Sequence, residues 1–219
     1  MATAPIFVGT WNVQATTFIA AHGTALALPI FTAGSLGSRV HGIGYTATDA
    51  GASTAILYYG TRMTLQSAMG TGAFLNNGGS PDTITRTSGS FVTDGFLVGD
   101  RILVSGPTTL ANSFFVTLTV VAALTLTFVT ATTDTAEDFP TGAIIYRLAQ
   151  MHLTTLAAQA GNAASTDSLD MLITDYPIAD VTPDRYIILG ANDILALSLG
   201  TAIGAAPDRG DCLVFGGDY

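Results

Sequence analysis

Between Arg101 and Asp134 the chain carries no charged residue, and apolar side chains recur there at every second position. Phe114, Val116, Leu118 and Val120 form one such series, Leu124, Leu126 and Phe128 another, with Thr117, Thr119, Thr125 and Thr127 interleaved. A period of two lines one face of a β-strand, so each series buries one face and leaves threonine on much of the other. The run is long enough for a membrane helix. Its threonines, the lack of a flanking Lys/Arg asymmetry and the absence of aromatic belts at both ends oppose that reading. Ala122-Ala123 suits a two-residue hairpin turn poorly, since such turns want Gly or Asn at positive φ. A longer loop that borrows Val121 or Leu124 is expected.

The same bias extends through the 219 residues, of which 48% are hydrophobic and 11% charged. Charged residues supply about a quarter of an ordinary domain, so much of this exterior is expected to face other protein. A chain of this length makes one domain or two small ones and buries roughly 70–75% of its unfolded surface. Thr and Gly abundance favours strands and turns over long helices. Arginine carries all the fixed positive charge, and the net charge is −9. That balance argues against nucleic acid and against anionic lipid as partners. Cys212 is the one cysteine, which excludes an internal disulfide and reads as a small buried hydrophobe. The N-terminus, Met1-Ala2-Thr3-Ala4-Pro5, shows no signal-peptide pattern.

Taken in order, residues 1–35 carry short apolar pieces and read either as an extended arm or as an ordinary pair of strands. Pro29 assigns Leu26–Phe31 to an edge or a turn. Arg39–Thr48 reads as a strand with His41, Ile43, Tyr45 and Ala47 on one face, followed by Thr54–Tyr59 up to Gly60 and a weaker continuation at Arg62–Gln66. Gly70–Pro81, rich in Gly and Asn, reads as a linker. Beyond it come Thr83–Thr87, the turn Phe91–Val98, Arg101–Val104, the two alternating series, an acidic loop over Thr130–Thr141 and a return strand Ala143–Leu148. Met151–Ala164 reads as a short helix or loop, although Thr154-Thr155 suit a strand. Leu169–Thr174 is strand-like and Pro177–Asp184 a turn region. Tyr186–Leu189 and Ile194–Leu199 predict a hairpin around Gly190–Asp193, its second arm alternating at Leu195, Leu197 and Leu199. Cys212–Phe215 is a last strand.

These elements predict an all-β protein: a discontinuous, jelly-roll-like β-sandwich from residues 1–78 and 149–219, with a small β-barrel or β-sandwich module, 79–148, inserted through it.

Reactive constellations are missing. His22, His41 and His152 each stand apart from any Ser or Cys with an acidic orienter. Gly34-Ser35-Leu36-Gly37-Ser38 only superficially resembles a nucleophile elbow and reads as a loop. A phosphate cradle of the Gly-Lys-Ser/Thr kind needs the lysine this chain lacks. Asp134, Glu137 and Asp138 offer oxygen ligands suited to calcium but match no defined loop, and read as a solvated acidic loop. Arg209-Gly210-Asp211 spells a tripeptide common in integrin ligands and reads as a tight turn. No catalytic, cofactor-binding or metal-binding residue is assigned, and no enzyme is expected.

Ser90-Phe91-Val92-Thr93-Asp94-Gly95-Phe96-Leu97-Val98-Gly99-Asp100-Arg101-Ile102-Leu103-Val104-Ser105-Gly106, followed by Asn112 and the Thr-rich hairpin, resembles a small β-module common in virion proteins of tailed bacteriophages. Phe31–Val40 and Thr46–Asp49 look like a second pattern recurrent in phage structural proteins. The turn has a physical logic: Gly95 and Gly99 open conformations closed to other residues, Phe96 and Val98 can bury, and Asp100 can bond into the turn.

The resemblance implies a virion structural protein assembled in the host cytoplasm. The expected role is capsid decoration, or cement: binding the outer surface of the major capsid protein and bridging capsomers, as a homo-oligomer with a trimer favoured. The alternative is a tail, baseplate or fibre component with a possible receptor-binding β-module.

Overall fold

The computed structural model describes residues 10–22, 26–47, 53–65, 68–77, 81–107, 115–129, 136–140, 142–156, 169–170, 187–200, 203–204 and 208–219. Residues 1–9 of the expected arm, Phe114, Asn112, Asp134, Pro177–Asp184 and 157–164 lie outside them. Among the described residues the regular structure is strand, with no α-helix. In chain order the strands are β1 (Thr10–Phe18), β2 (Ala27–Thr32), β3 (Ser38–Ala47), β4 (Ser53–Leu65) and β5 (Gly72–Leu75). There follow β6 (Asp82–Arg86), β7 (Arg101–Ser105), β8 (Phe115–Val121), β9 (Thr125–Phe128) and β10 (Glu137–Asp138). The last are β11 (Ile144–Leu156), β12 (Leu169–Asp170), β13 (Ile187–Leu189), β14 (Ile194–Leu199) and β15 (Gly210–Asp218). A short 3-10 turn, Ala20–His22, follows β1. The all-β class expected from the alternation is thus observed.

The chain divides into two units, one of residues 1–24, 28–57 and 151–219 and the other of 25–27 and 58–150. It passes between them within the long strands β4 and β11.

In the first unit β15 pairs antiparallel with β1 on one side and β3 on the other, and β12 and β13 pair with β3 beyond. A second set runs in the order β4-β14-β2. Phe18, Ile30, Phe31, Val40, Ile43, Tyr45, Leu195, Leu197 and Val214 make the core. Phe18 meets Tyr45 edge to face, and the Phe31 ring sits where a Cβ on Gly216 would have to go. The Gly216 backbone is therefore close-packed against an aromatic ring.

A polar knot fastens this unit. The buried Ser38 hydroxyl donates to Asp218 at 2.5 Å, and Asn12 Nδ2 donates to the same carboxylate at 3.1 Å. The amide of Gly34 donates to Ser38 Oγ at 2.9 Å, and the amide of Asn192 donates to the Gly34 carbonyl at 3.0 Å. Gly34–Ser38, expected as a loop, is a turn tied to three other segments.

Several local expectations are corrected. His41 does not share a face with Ile43 and Tyr45. The register with β15 passes from Phe215↔Gly42 to Gly216↔Val40, so β3 carries an extra residue at His41. That bulge reverses the phase: Val40 is buried before it, Ile43 and Tyr45 after it, and His41 is exposed. β4 runs unbroken through Gly60, because neighbours on both sides outweigh one glycine. Gly190–Asp193 is not the turn of a paired hairpin. Asp193 N–H does bond the Gly190 carbonyl at 3.1 Å, but β13 pairs with β3 while β14 lies between β4 and β2. All six residues of β14 are buried, so the alternating leucines occupy one covered face and Ile194, Ala196 and Ser198 another. Met151–Leu156 is strand, as the threonines there allowed.

The second unit orders its strands β10-β5-β6-β9-β8-β7-β11-β4. The expected Gly70–Pro81 linker contains β5, which pairs with β6 from Gly72↔Arg86 to Leu75↔Thr83. Phe74, fully buried and stacked on Phe128, makes this Gly-rich stretch a strand. The loop from β8 to β9 is Ala122–Leu124, closed by Ala122 N–H to the Thr125 carbonyl at 2.8 Å, and it borrows Leu124 as expected. Val120 is exposed although Leu118 is buried, because the register slips between Leu118 and Val120. Acidic Glu137–Asp138 form β10 against β5.

Candidate functional site

In an antiparallel sheet, residues directly opposite one another point to the same side. The register of β1, β15 and β3 therefore sets three successive rows on one face of the first unit: Val13, Phe215 and Gly42; Ala15, Leu213 and Gly44; Thr17, Asp211 and Thr46. A further row holds Trp11, Gly217, Arg39 and Ile188. This is the outer face. Trp11 is 76% exposed, Val13 53% and Phe215 43%, and Leu213 and Ile188 are also exposed.

The glycines shape it. With no side chains on β3 opposite Phe215 and Leu213, a groove of about 570 Å³ opens along the face, lined by Ala15, Ile43, Gly44, Thr46, Leu213 and Phe215. A Cβ on Gly42 would touch the Phe215 ring at an ordinary 3.6 Å, and one on Gly44 would come no nearer than 3.9 Å to any atom. The space is not required by backbone strain.

β1 is built inside out. Its apolar Trp11 and Val13 face outward, while Asn12, Gln14 and Thr16 turn inward to the backbone of β2. Gln14 Nε2 donates to the Thr32 carbonyl at 3.0 Å, Gln14 Oε1 accepts from Thr32 N–H at 3.0 Å, and Thr16 Oγ1 donates to the Pro29 carbonyl at 3.1 Å. One glutamine side chain thus supplies both bonds a neighbouring strand would have made. An alternation rule applied to Trp11–Thr17 would bury the wrong face; its signal was the alternation itself, combined with polar residues able to serve an edge.

In the second unit the Ser90–Asp100 turn is held from beneath. Arg86, whose side chain is 1% exposed, ion-pairs with Asp94 at 2.5 Å, donates to the Ala68 carbonyl at 3.0 Å and lies over the Phe91 ring at 4.6 Å. Phe91 packs edge-on against buried Phe96. Asp100 accepts from Leu97 N–H at 2.8 Å, the bond expected for it, and Gly95 and Gly99 have φ of 90° and 91°. Val98, expected to bury, is exposed with Val92 and Leu97, since the turn folds its chain around Phe91 and Phe96 and leaves no room beneath.

The residues weighed for chemistry are dispersed. His22 closes the turn after β1, its Nδ1 accepting from Ile19 N–H at 3.1 Å, and partial burial lowers its pKa from 6.5. His41 lies beside Trp11, ring centroids 6.4 Å apart, and His152 falls in β11. Cys212 is buried in β15, where desolvation raises its thiol pKa to about 12. Arg209 pairs with Asp211 at 2.9 Å, and Gly210 and Asp211 are strand rather than turn. A side chain on Gly210 would collide with Tyr45, so the glycine of that tripeptide is a packing requirement. Among the described residues no group of three or more His, Cys, Asp or Glu is placed to hold a metal ion, and no helix is long and apolar enough to cross a membrane.

Comparison with family models, with characterised proteins and with solved structures returned no match.

Proposed function

We propose that the protein is a structural component of a tailed-phage virion, a decoration or cement protein that lays the outward face of β1, β15 and β3 on the outer surface of the major capsid protein. The observation that carries this reading is the inverted strand β1, which exposes Trp11 and Val13 beside Leu213 and Phe215 while its polar side chains serve an internal edge. Cement acts by removing apolar surface from water across a seam, at roughly 25 cal/mol per Å². A low-charge sheet face with a groove suits that task.

The test uses bare capsids. Purified chain is expected to bind them and restore resistance to heat and osmotic shock, and Gly44→Leu, whose Cβ meets no atom nearer than 3.9 Å and whose branch enters the groove, is expected to lose binding while remaining folded. Capsids equally robust with and without the chain would refute the assignment. The exposed Val92, Leu97 and Val98 of the second unit support a second reading, a tail, baseplate or fibre component contacting its target through that turn. Immunogold labelling of virions separates head from tail.

A further inference from the structure

A sheet edge is a row of unsatisfied N–H and C=O groups, and proteins blunt such edges by shortness, charge, proline or a cover. Among the described strands, four of the five sheet edges are blunted. β10 has two residues, both acidic. β12 has two residues and β13 three. β2 carries Pro29, and its Thr32 N–H, Thr32 carbonyl and Pro29 carbonyl are occupied by Gln14 and Thr16. Among the described residues β1 has none of these devices. It is nine residues long, Thr-Trp-Asn-Val-Gln-Ala-Thr-Thr-Phe, with no charge, no proline and an unbroken register against β15 on its one paired side.

We propose that this edge pairs with the β1 strand of a second copy, antiparallel about a two-fold axis, so that the two β1-β15-β3 sheets become one. The occupant follows from the requirements of the edge: an extended, uncharged segment of about nine residues, about 30 Å of ladder, with apolar side chains on alternate positions. Among the described strands of a second copy β1 alone meets them with a free side. β3 contains Arg39, β4 Arg62, β11 Arg147 and β15 Asp211 and Asp218, and each of those has strands on both sides. Self-pairing also brings the copies together where neither carries charge, which matters for a chain of net charge −9. The two-fold extends the face bearing Trp11 and Val13 across both copies. It makes the unit a dimer, in place of the trimer that the family resemblance implied, and it stands independently of the capsid assignment.

The mass of the full chain in solution tests the pairing, with twice 22.5 kDa expected. Val13→Lys, an edge lysine, is expected to give monomers, and Gly44→Leu, which lies on β3, to leave the dimer intact. Registers that keep the odd-numbered residues of both copies on one face and pair at least seven of the nine residues of β1 place 13 opposite 13, 13 opposite 15, or 15 opposite 15. The double variant Val13→Cys/Ala15→Cys therefore forms an intermolecular disulfide on mild oxidation in each of them, and buried Cys212 does not compete. A monomer at high concentration, a trimer, or a dimer that is insensitive to Val13→Lys and fails to cross-link overturns the proposal. Should Val13→Lys fail to fold, the cross-link decides alone. Failure to bind capsids with the dimer intact would count against the capsid reading only.

Discussion

Arg86 shows how much a single residue holds in this protein. Its guanidinium is buried, with Asp94 as its ionic partner and the Phe91 ring against its face. Removing the partner leaves an uncompensated charge, so Asp94→Ala is expected to destabilise by about 3–5 kcal/mol in denaturant unfolding. Arg86→Met, which removes the charge and keeps an apolar side chain of some length, is expected to cost less. His22 provides a pH signature. Burial depresses its folded pKa below 6.5, so between the two values the unfolded chain binds the proton and the folded chain does not. Stability contributed by neutral His22 is full above 6.5 and falls as the pH drops from there through the folded value; protonation also removes the acceptor for Ile19 N–H. The pH slope of the unfolding midpoint over that window is expected to flatten in His22→Gln. Neither role was legible in the sequence, since Arg86 and His22 look like any surface arginine and lone histidine until the backbone brings Asp94, Phe91 and Phe18 to them.

At the scale of elements, period-two alternation identified strands well and faces unevenly. Leu118, Leu126 and Phe128 are buried as their series requires. The failures occur where register slips, at His41 in β3 and between Leu118 and Val120 in β8, and where a strand is covered on both faces, as β14 is. Such slips are choices of the partner strand, so a single strand's sequence does not contain them. β15 illustrates the same dependence. Arg209-Gly210-Asp211 reads as a turn on local chemistry, yet Gly210 pairs with Ala47 and Phe18, and Tyr45 fills the space a side chain would need. Gly210→Ala is accordingly expected to destabilise the protein by about 1–3 kcal/mol, read as a lowered midpoint of thermal unfolding. Gly44→Ala, facing the open groove, is expected to leave that midpoint almost unchanged.

At the scale of the molecule, Cys212 reports on the core it lies in. With the thiol 1% exposed and its pKa near 12, alkylation at pH 8 is expected to wait on opening of the first unit and to accelerate in step with denaturant. Rapid labelling under native conditions would contradict the packing described here. The candidate surface depends on the same assembly. No stretch of sequence marks it, because Trp11 and Val13, Leu213 and Phe215, and Gly42 and Gly44 belong to segments at opposite ends and in the first quarter of the chain, and only the β1-β15-β3 ladder makes them one face. By itself the sequence determined the all-β class, most of the strands and the chemistry of the Ser90–Asp100 turn. These follow from local periodicity and from residues acting within a few positions of themselves. Tertiary structure alone decided that β1 faces outward on its apolar side, that Gln14 and Thr16 cap the backbone of β2, and that three distant strands form a groove. Burial and edge status belong to a residue's neighbours in space, and a linear pattern with two possible faces leaves both open until they arrive.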